Sequence, residues 1–351
     1  MAHHFAGSTD LDARFHNIAR GSAFGIQAFR RDGIFNYGSS LLSLLEFTRN
    51  TESTDPRDKV YAPRGLATDL PLTSVLPDYS KSVEAVYSDV VRFSLSQPDQ
   101  GLQVLGHVIR PIADSKRMKS TYDGPGLPTW MPNFRDRLGL SPFCSSVKDL
   151  KPAYNACGLH KTHNARIEGS QCILDGIRTD QISALSTTWE ENVFSTNEVR
   201  SWAPEHPNAA YLPTNQTLDE AFRTTILADM NSLTKSRGHI IDWELLEARN
   251  DTLSPSQSAR RNAMNVALKT SGCRKLCWTT AGRMGIVPAA TRVGDLVCVL
   301  FGGQVLYILR SISQDPLYEF LGECYIHGLM DGEAFEQEDT RDADQETFCL
   351  V

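Results

Sequence analysis

Between Asp295 and Ile326 the chain reads as sheet and nothing else. Asp295-Leu296-Val297-Cys298-Val299-Leu300-Phe301 passes through a Gly302-Gly303 turn to Val305-Leu306-Tyr307-Ile308-Leu309-Arg310, and Tyr318-Glu319-Phe320-Leu321-Gly322-Glu323-Cys324-Tyr325-Ile326 follows. Apolar, β-branched and aromatic runs of this length, separated by turn residues, predict a three-stranded antiparallel meander. A meander alone leaves its edges unpaired and one face uncovered, so the chain must supply more strands. The other period-two signal is Arg166-Ile167-Glu168 and Gln171 to Ile177, joined at Gly169-Ser170. These strands are expected to pair with the meander or pack beside it, giving a small antiparallel β-barrel or sandwich.

A helical insertion at about 215–272 separates the two strand groups. Thr217-Leu218-Asp219-Glu220 is a capping box, followed by Phe222, Ile226, Met230 and Leu233 on one stripe. A second box, Ser254-Pro255-Ser256-Gln257, opens another helix that Gly272 can close. Polar and small residues across 186–216 read as exposed loop. Upstream the chain is helical. Ser39 or Ser40 caps a helix bearing Leu41, Leu44 and Leu45; Thr54-Asp55-Pro56 starts another that Pro63 ends early; Ser80 opens a third with Val83, Val86, Tyr87, Val90 and Phe93 inward. The predicted class is therefore α+β. Its parts are a poorly ordered 1–37, a helical 38–125, a β-rich domain at 126–335 and an acidic, solvated tail at 336–351.

Composition narrows the function classes. The 351 residues, 41% apolar and 22% charged, suit a globular chain of about two domains. Net charge is −7, but residues 331–346 carry eight acids against Arg341 alone, and the remainder balances at 34 acids and 34 bases. No basic footprint for nucleic acid or anionic membrane shows in that balance. With no spanning apolar run and no signal-like start, a cytoplasmic protein is expected. Eight scattered cysteines without a Cys-x-x-Cys pair read as reduced thiols.

Motif searches return little chemistry. Glycine-rich nucleotide loops, a Gly-x-Ser-x-Gly elbow and a His-Glu-x-x-His helix are missing from the sequence. Ala281-Gly282-Arg283-Met284-Gly285 is read as a turn rather than an anion loop. Cys157, His160 and His163 have ligand-like spacing but no fourth partner nearby, so they are read as a surface loop, with no metal and no cofactor expected. The remaining candidates for catalysis are Glu323, Cys324 and His327. In a regular strand Glu323 and His327 share a face while Cys324 points to the other, so a Cys324/His327 pair needs a β-bulge.

Several of these caps and turns, taken in order, resemble one family. Thr54-Asp55-Pro56-Arg57-Asp58-Lys59-Val60-Tyr61-Ala62, Pro77-Asp78-Tyr79-Ser80-Lys81-Ser82-Val83, Leu127-Pro128-Thr129-Trp130-Met131-Pro132, Glu220-Ala221-Phe222, and the segments from Gly294 to Gly303 and from Gly322 to Ala334 are similar to motifs of the fungal heterokaryon incompatibility (HET) domain proteins. The resemblance covers about 40–335 and implies a family member lacking the N-terminal, TIR-like part of the domain, with no residue matching a NAD-cleaving glutamate. It makes Asp55, Arg57, Asp58, Lys59, Asp78, Tyr79 and Trp130 the structural or recognition motif. The function it implies is fungal non-self recognition and programmed cell death through an unidentified protein partner, without catalysis. An accessory or enzyme-like role in a fungal secondary-metabolite pathway is the alternative.

Overall fold

The computed structural model describes residues 40–71, 73–97, 101–110, 126–136, 142–143, 153–187, 196–230, 237–238, 240–270, 274–312, 316–336 and 345–351. Residues 1–37 and the boundary proposed near 125 lie outside them. Three helices open the described chain: α1 (Leu41–Thr48), α2 (Asp58–Arg64) and α3 (Val83–Leu95). The Ser40 hydroxyl accepts the Ser43 amide at 3.1 Å, and Leu41, Leu42, Leu44 and Leu45 are buried. Pro63 sits in the last turn of α2, which stops one residue later. The cap of α3 is Ser82, not Ser80, because Asp78 already takes the Ser80 amide (2.9 Å) and hydroxyl (2.6 Å). A 3₁₀ turn, Gln103–His107, then leads toward the sheet.

The small barrel or sandwich expected from the sequence is instead one large sheet of eight strands. Its members are β1 (Arg166–Glu168), β2 (Gln171–Leu185), β5 (Arg274–Thr279), β6 (Met284–Pro288), β7 (Leu296–Leu300), β8 (Leu306–Ser311), β9 (Leu317–Ile326) and β10 (Gln345–Leu350). A separate hairpin joins β3 (Ala210–Tyr211) to β4 (Gln216–Thr217). The meander forms as predicted, with β7, β8 and β9 antiparallel in succession.

Fifteen-residue β2 organises the sheet because it changes neighbours along its length. Gly176 to Gln181 pair with β7 across a register shift between Arg178 and Asp180, and Ile182 to Leu185 pair with β5. At Gly176 a Cβ would meet the Val299 carbonyl at 2.2 Å, so β7 can approach only a glycine there. Direct pairing of β2 with β5 makes everything between them an insertion. It contains α4 (Thr196–Arg200), the β3–β4 hairpin, α5 (Leu218–Ile226), α6 (Trp243–Glu247) and α7 (Pro255–Thr270). The described part of 186–216 is thus partly ordered structure rather than all loop. Helix α5 is shorter than its apolar stripe because Ala228 and Asp229 turn to positive φ (50° and 56°). Gly272 lies outside the described residues.

The acidic tail is also corrected. Its last residues form β10, antiparallel to β2 and parallel to β9, with Phe348 and Leu350 fully buried. Glu346 is held by Arg178 at 2.8 Å. Apolar alternation in Thr347-Phe348-Cys349-Leu350 outweighs the preceding acids once a sheet edge is there to take it. No helix among the described residues is long and apolar enough to cross a membrane.

Candidate functional site

The motif shared by the start of α2 and the turn before α3 assembles around Arg57. Its Nε and Nη2 fork onto the Asp55 carboxylate at 3.0 and 2.7 Å, while Nη1 donates to the Tyr79 and Lys81 carbonyls at 2.6 and 2.9 Å. The guanidinium also lies 5.3 Å from the Tyr79 ring centroid. Tyr79, 55% exposed, donates its hydroxyl to Asp58 at 2.5 Å and meets Tyr61 edge-on. Tyr61 in turn donates to the Asp78 carbonyl. Arg57 holds the Asp55 carboxyl below its usual range by hydrogen bonding. Two sequence motifs some twenty residues apart thus become one exposed latch.

Lys59 and Trp130 point inward instead. The Lys59 ammonium donates to the carbonyls of Arg49 (3.1 Å) and Thr51. Trp130 is fully buried, and its indole N–H donates to the Ser170 carbonyl at 2.9 Å, anchoring its segment at the β1–β2 turn. Arg49 ties the same segment to α1: it donates to the carbonyls of Asp136 and Asn133, both at 2.7 Å, and His107, and lies over the Phe134 ring.

Strand β9 separates the catalytic candidates. Its register shift lies between the pairs Ile308–Gly322 and Leu309–Phe320, so the chain alternates regularly after Glu323. Glu323 is 3% exposed and pairs with Arg274, 1% exposed, at 3.0 Å; it also accepts the Phe143 amide. Arg274 lies 3.9 Å from the Phe143 ring centroid. Cys324 is fully buried, and burial pushes its thiol well above the usual range. His327 lies just past the strand. Its Nε2–H donates to Gln216 at 2.6 Å, Nδ1 accepts the Tyr325 hydroxyl at 2.7 Å, and the ring stacks on Tyr211. Burial pushes the His327 imidazole down to about 4. The strand therefore directs Glu323 and His327 to different partners.

Other sequence candidates also settle into local contacts. His160 stacks on Phe301, His163 accepts the Ala165 amide, and Cys157 is buried. Among the described residues no group of three or more His, Cys, Asp or Glu is arranged to hold a metal ion. The turn at 280–283 does receive an anion, but an internal one: Asp180 accepts from the Thr280 hydroxyl, the Ala281 amide and the Arg283 guanidinium. Arg274, Arg49 and His107 were not singled out by sequence reasoning. The only available hint was that an inward acid at Glu323 requires a base on another strand.

Residues 247–350 match the Het-6 beta-barrel domain. The chain is also 23% identical over 366 aligned positions to heterokaryon incompatibility protein 6, OR allele, of Neurospora crassa, which covers 85% of this chain and 51% of that protein. The chain is thus similar to a heterokaryon incompatibility protein over most of its length, while the domain match is confined to its C-terminal part. The chain spans about half the length of the curated relative it matches. No solved structure matches it. The matched segment begins at the end of α6 and takes in β5 to β10. Strand β2, which pairs with β5, β7 and β10, lies before it.

Proposed function

We propose that this chain acts in fungal heterokaryon incompatibility, binding another protein in the cytoplasm and thereby contributing to non-self recognition and cell death rather than catalysing a reaction. The observation that carries this reading is the likeness to heterokaryon incompatibility protein 6, which runs through both the helical region and the sheet. The geometry supports it, since Glu323 and His327 are engaged within the fold while the Tyr79 latch is exposed. Expression in paired fungal strains that differ at incompatibility loci tests it. Growth arrest and vital-dye uptake are expected in one background and not the other; equal viability in every background overturns the proposal.

A further inference from the structure

We propose that the cationic end of the sheet, where Arg110, Lys275 and Arg292 surround Arg310, binds a phosphate monoester carried on a hydroxyl side chain of the protein partner. This deepens the protein-binding reading above and rests on it for the nature of the partner. Arg310 comes from β8, Glu319 from β9, Lys275 from β5, and Arg292 and Asp295 from the turn between β6 and β7. Arg110 lies two residues beyond Val108, whose carbonyl faces Gly322 of β9.

Arg310 is the fixed centre. Its Nε and Nη2 fork onto Asp295 at 2.9 and 2.8 Å, Nη2 also donates to the Ala290 carbonyl at 2.9 Å, and Nη1 reaches Glu319 at 3.4 Å. Asp295 also accepts the Arg292 amide at 2.7 Å, which fixes the turn that presents the exposed Arg292 side chain. Lys275 gives one N–H to the Thr291 carbonyl at 3.0 Å, and an ammonium has two more to offer. Neither the Arg110 nor the Arg292 guanidinium takes a hydrogen bond or ion pair among the described residues.

The cluster is short of negative charge. Four cations face the carboxylates of Asp295 and Glu319, an excess of two positive charges. Burial pushes the Arg110 guanidinium below its usual range, with Glu319 opposing and Arg310 adding to the effect. Burial lowers Lys275 as well, opposed by Asp295 and helped by Arg292 and Arg310. Cations that have given up water without gaining a partner are the ones an incoming anion stabilises most.

A phosphate monoester near neutral pH carries almost two negative charges on three acceptor oxygens, so it matches both the charge excess and the unused N–H groups. A carboxylate brings half that charge. A nucleic acid spreads single charges along its backbone and calls for a basic track rather than one cluster. Val293, 63% exposed beside Arg292, offers an apolar contact that a peptide can use and free phosphate cannot.

The test is calorimetric titration of the purified full chain with acetyl-Ala-Leu-phosphoserine-Leu-Ala-amide, whose ends are neutral. Saturable binding is expected, weakened about tenfold or more when serine or glutamate replaces the phosphoserine. Inorganic phosphate should compete poorly. Combining Arg110→Gln with Arg292→Gln should abolish binding at unchanged melting temperature, because neither guanidinium has a hydrogen bond to lose. Arg249→Gln, which removes an exposed charge paired with Asp251 elsewhere, should retain it. No binding by the phosphopeptide, equal binding by the serine peptide, full binding by the double variant, competition by inorganic phosphate as strong as by the peptide, or tighter binding of a single-stranded oligonucleotide overturns the proposal. Phosphopeptide binding without any fungal phenotype would sink the incompatibility reading and leave the site standing. A fungal phenotype in a chain that does not bind the phosphopeptide would do the reverse.

Discussion

The helical region and the sheet hold their charged residues together in opposite ways. Arg57 meets partners 2, 22 and 24 residues away, in a latch whose Arg57 and Asp55 side chains remain 22% and 28% exposed. Arg274 and Glu323 are 49 residues apart and buried at 1% and 3%, and the Phe143 amide reaches Glu323 across 180 residues. An exposed pair keeps most of its hydration and contributes little alone, whereas a buried one gives up that hydration and depends on every partner. Recognisable local motifs are therefore where the sequence speaks, and distant buried contacts are where stability is concentrated.

Removing one side of the buried pair gives the largest expected effect. Arg274→Met leaves the Glu323 carboxylate in the core without its guanidinium, which typically costs about 3–5 kcal/mol. Urea unfolding should show a much lower midpoint with little change in slope. Adding Glu323→Leu to that variant should restore part of the loss, since an apolar pair avoids the stranded charge. A single variant no worse than one at Arg57 would erase the contrast between the regions.

Acid separates the regions next. His327 is pushed down to about 4 and His107 to about 3, both chiefly by burial, with Arg49 adding to the effect at His107. Both imidazoles stay neutral in the folded chain while the unfolded chain binds protons below about 6.5, so stability is retained above that pH and lost as pH falls. The loss should reach about 3 kcal/mol between pH 6.5 and 5 for the two together. Titrating carboxylates scarcely enter this window, and the depressed Asp55 contributes only at lower pH. Neither His107 ring nitrogen has a protein partner among the described residues, so His107→Leu should halve the acid slope without destabilising at pH 7.5. Chemical unfolding at stepped pH measures both; a slope unchanged by His107→Leu contradicts the assignment.

A smaller effect is expected where the two regions touch. A Cβ at Gly106 would sit 2.9 Å from Glu323 Oε2 and 3.4 Å from Pro142 Cβ. Gly106→Ala must therefore shift the carboxylate or the 3₁₀ turn, an overpacking cost of about 1–3 kcal/mol. A melting temperature equal to that of the unaltered chain would mean that the turn does not press on Glu323.

What the sequence disclosed follows the same division. Strands β7, β8 and β9 were legible because β-branched and aromatic runs alternate with glycine turns, and the Thr217 and Ser254 capping boxes form as read, with the Glu220 and Gln257 amides on the hydroxyls. Strands β5 and β6 were not, because Gly285 and Pro288 interrupt a short run whose partners lie elsewhere in the chain. Strand β10 was masked by its acids. Nothing in the sequence marks Arg274 for burial, which follows only from β5 meeting β9 through β6. Local chemistry specifies caps and turns, but the burial of a charge depends on which strands become neighbours.

Arg57→Met should give the smallest change, and it sharpens the comparison by separating ionic from hydrogen-bonding contributions within the latch. The Asp55 pair is solvent-accessible and screened by salt, while the donations to the Tyr79 and Lys81 carbonyls also fix the turn that precedes α3. If the latch works mainly by tethering that turn, Arg57→Met lowers the melting temperature by less than Gly106→Ala does, and 1 M salt leaves the difference in place. Replacing Asp55 by Asn should then matter less than replacing Arg57, because the two carbonyl contacts survive. Should salt make the Arg57→Met variant and the unaltered chain melt together, the ion pair carries the latch, and the turn is held by α2 and α3 without it.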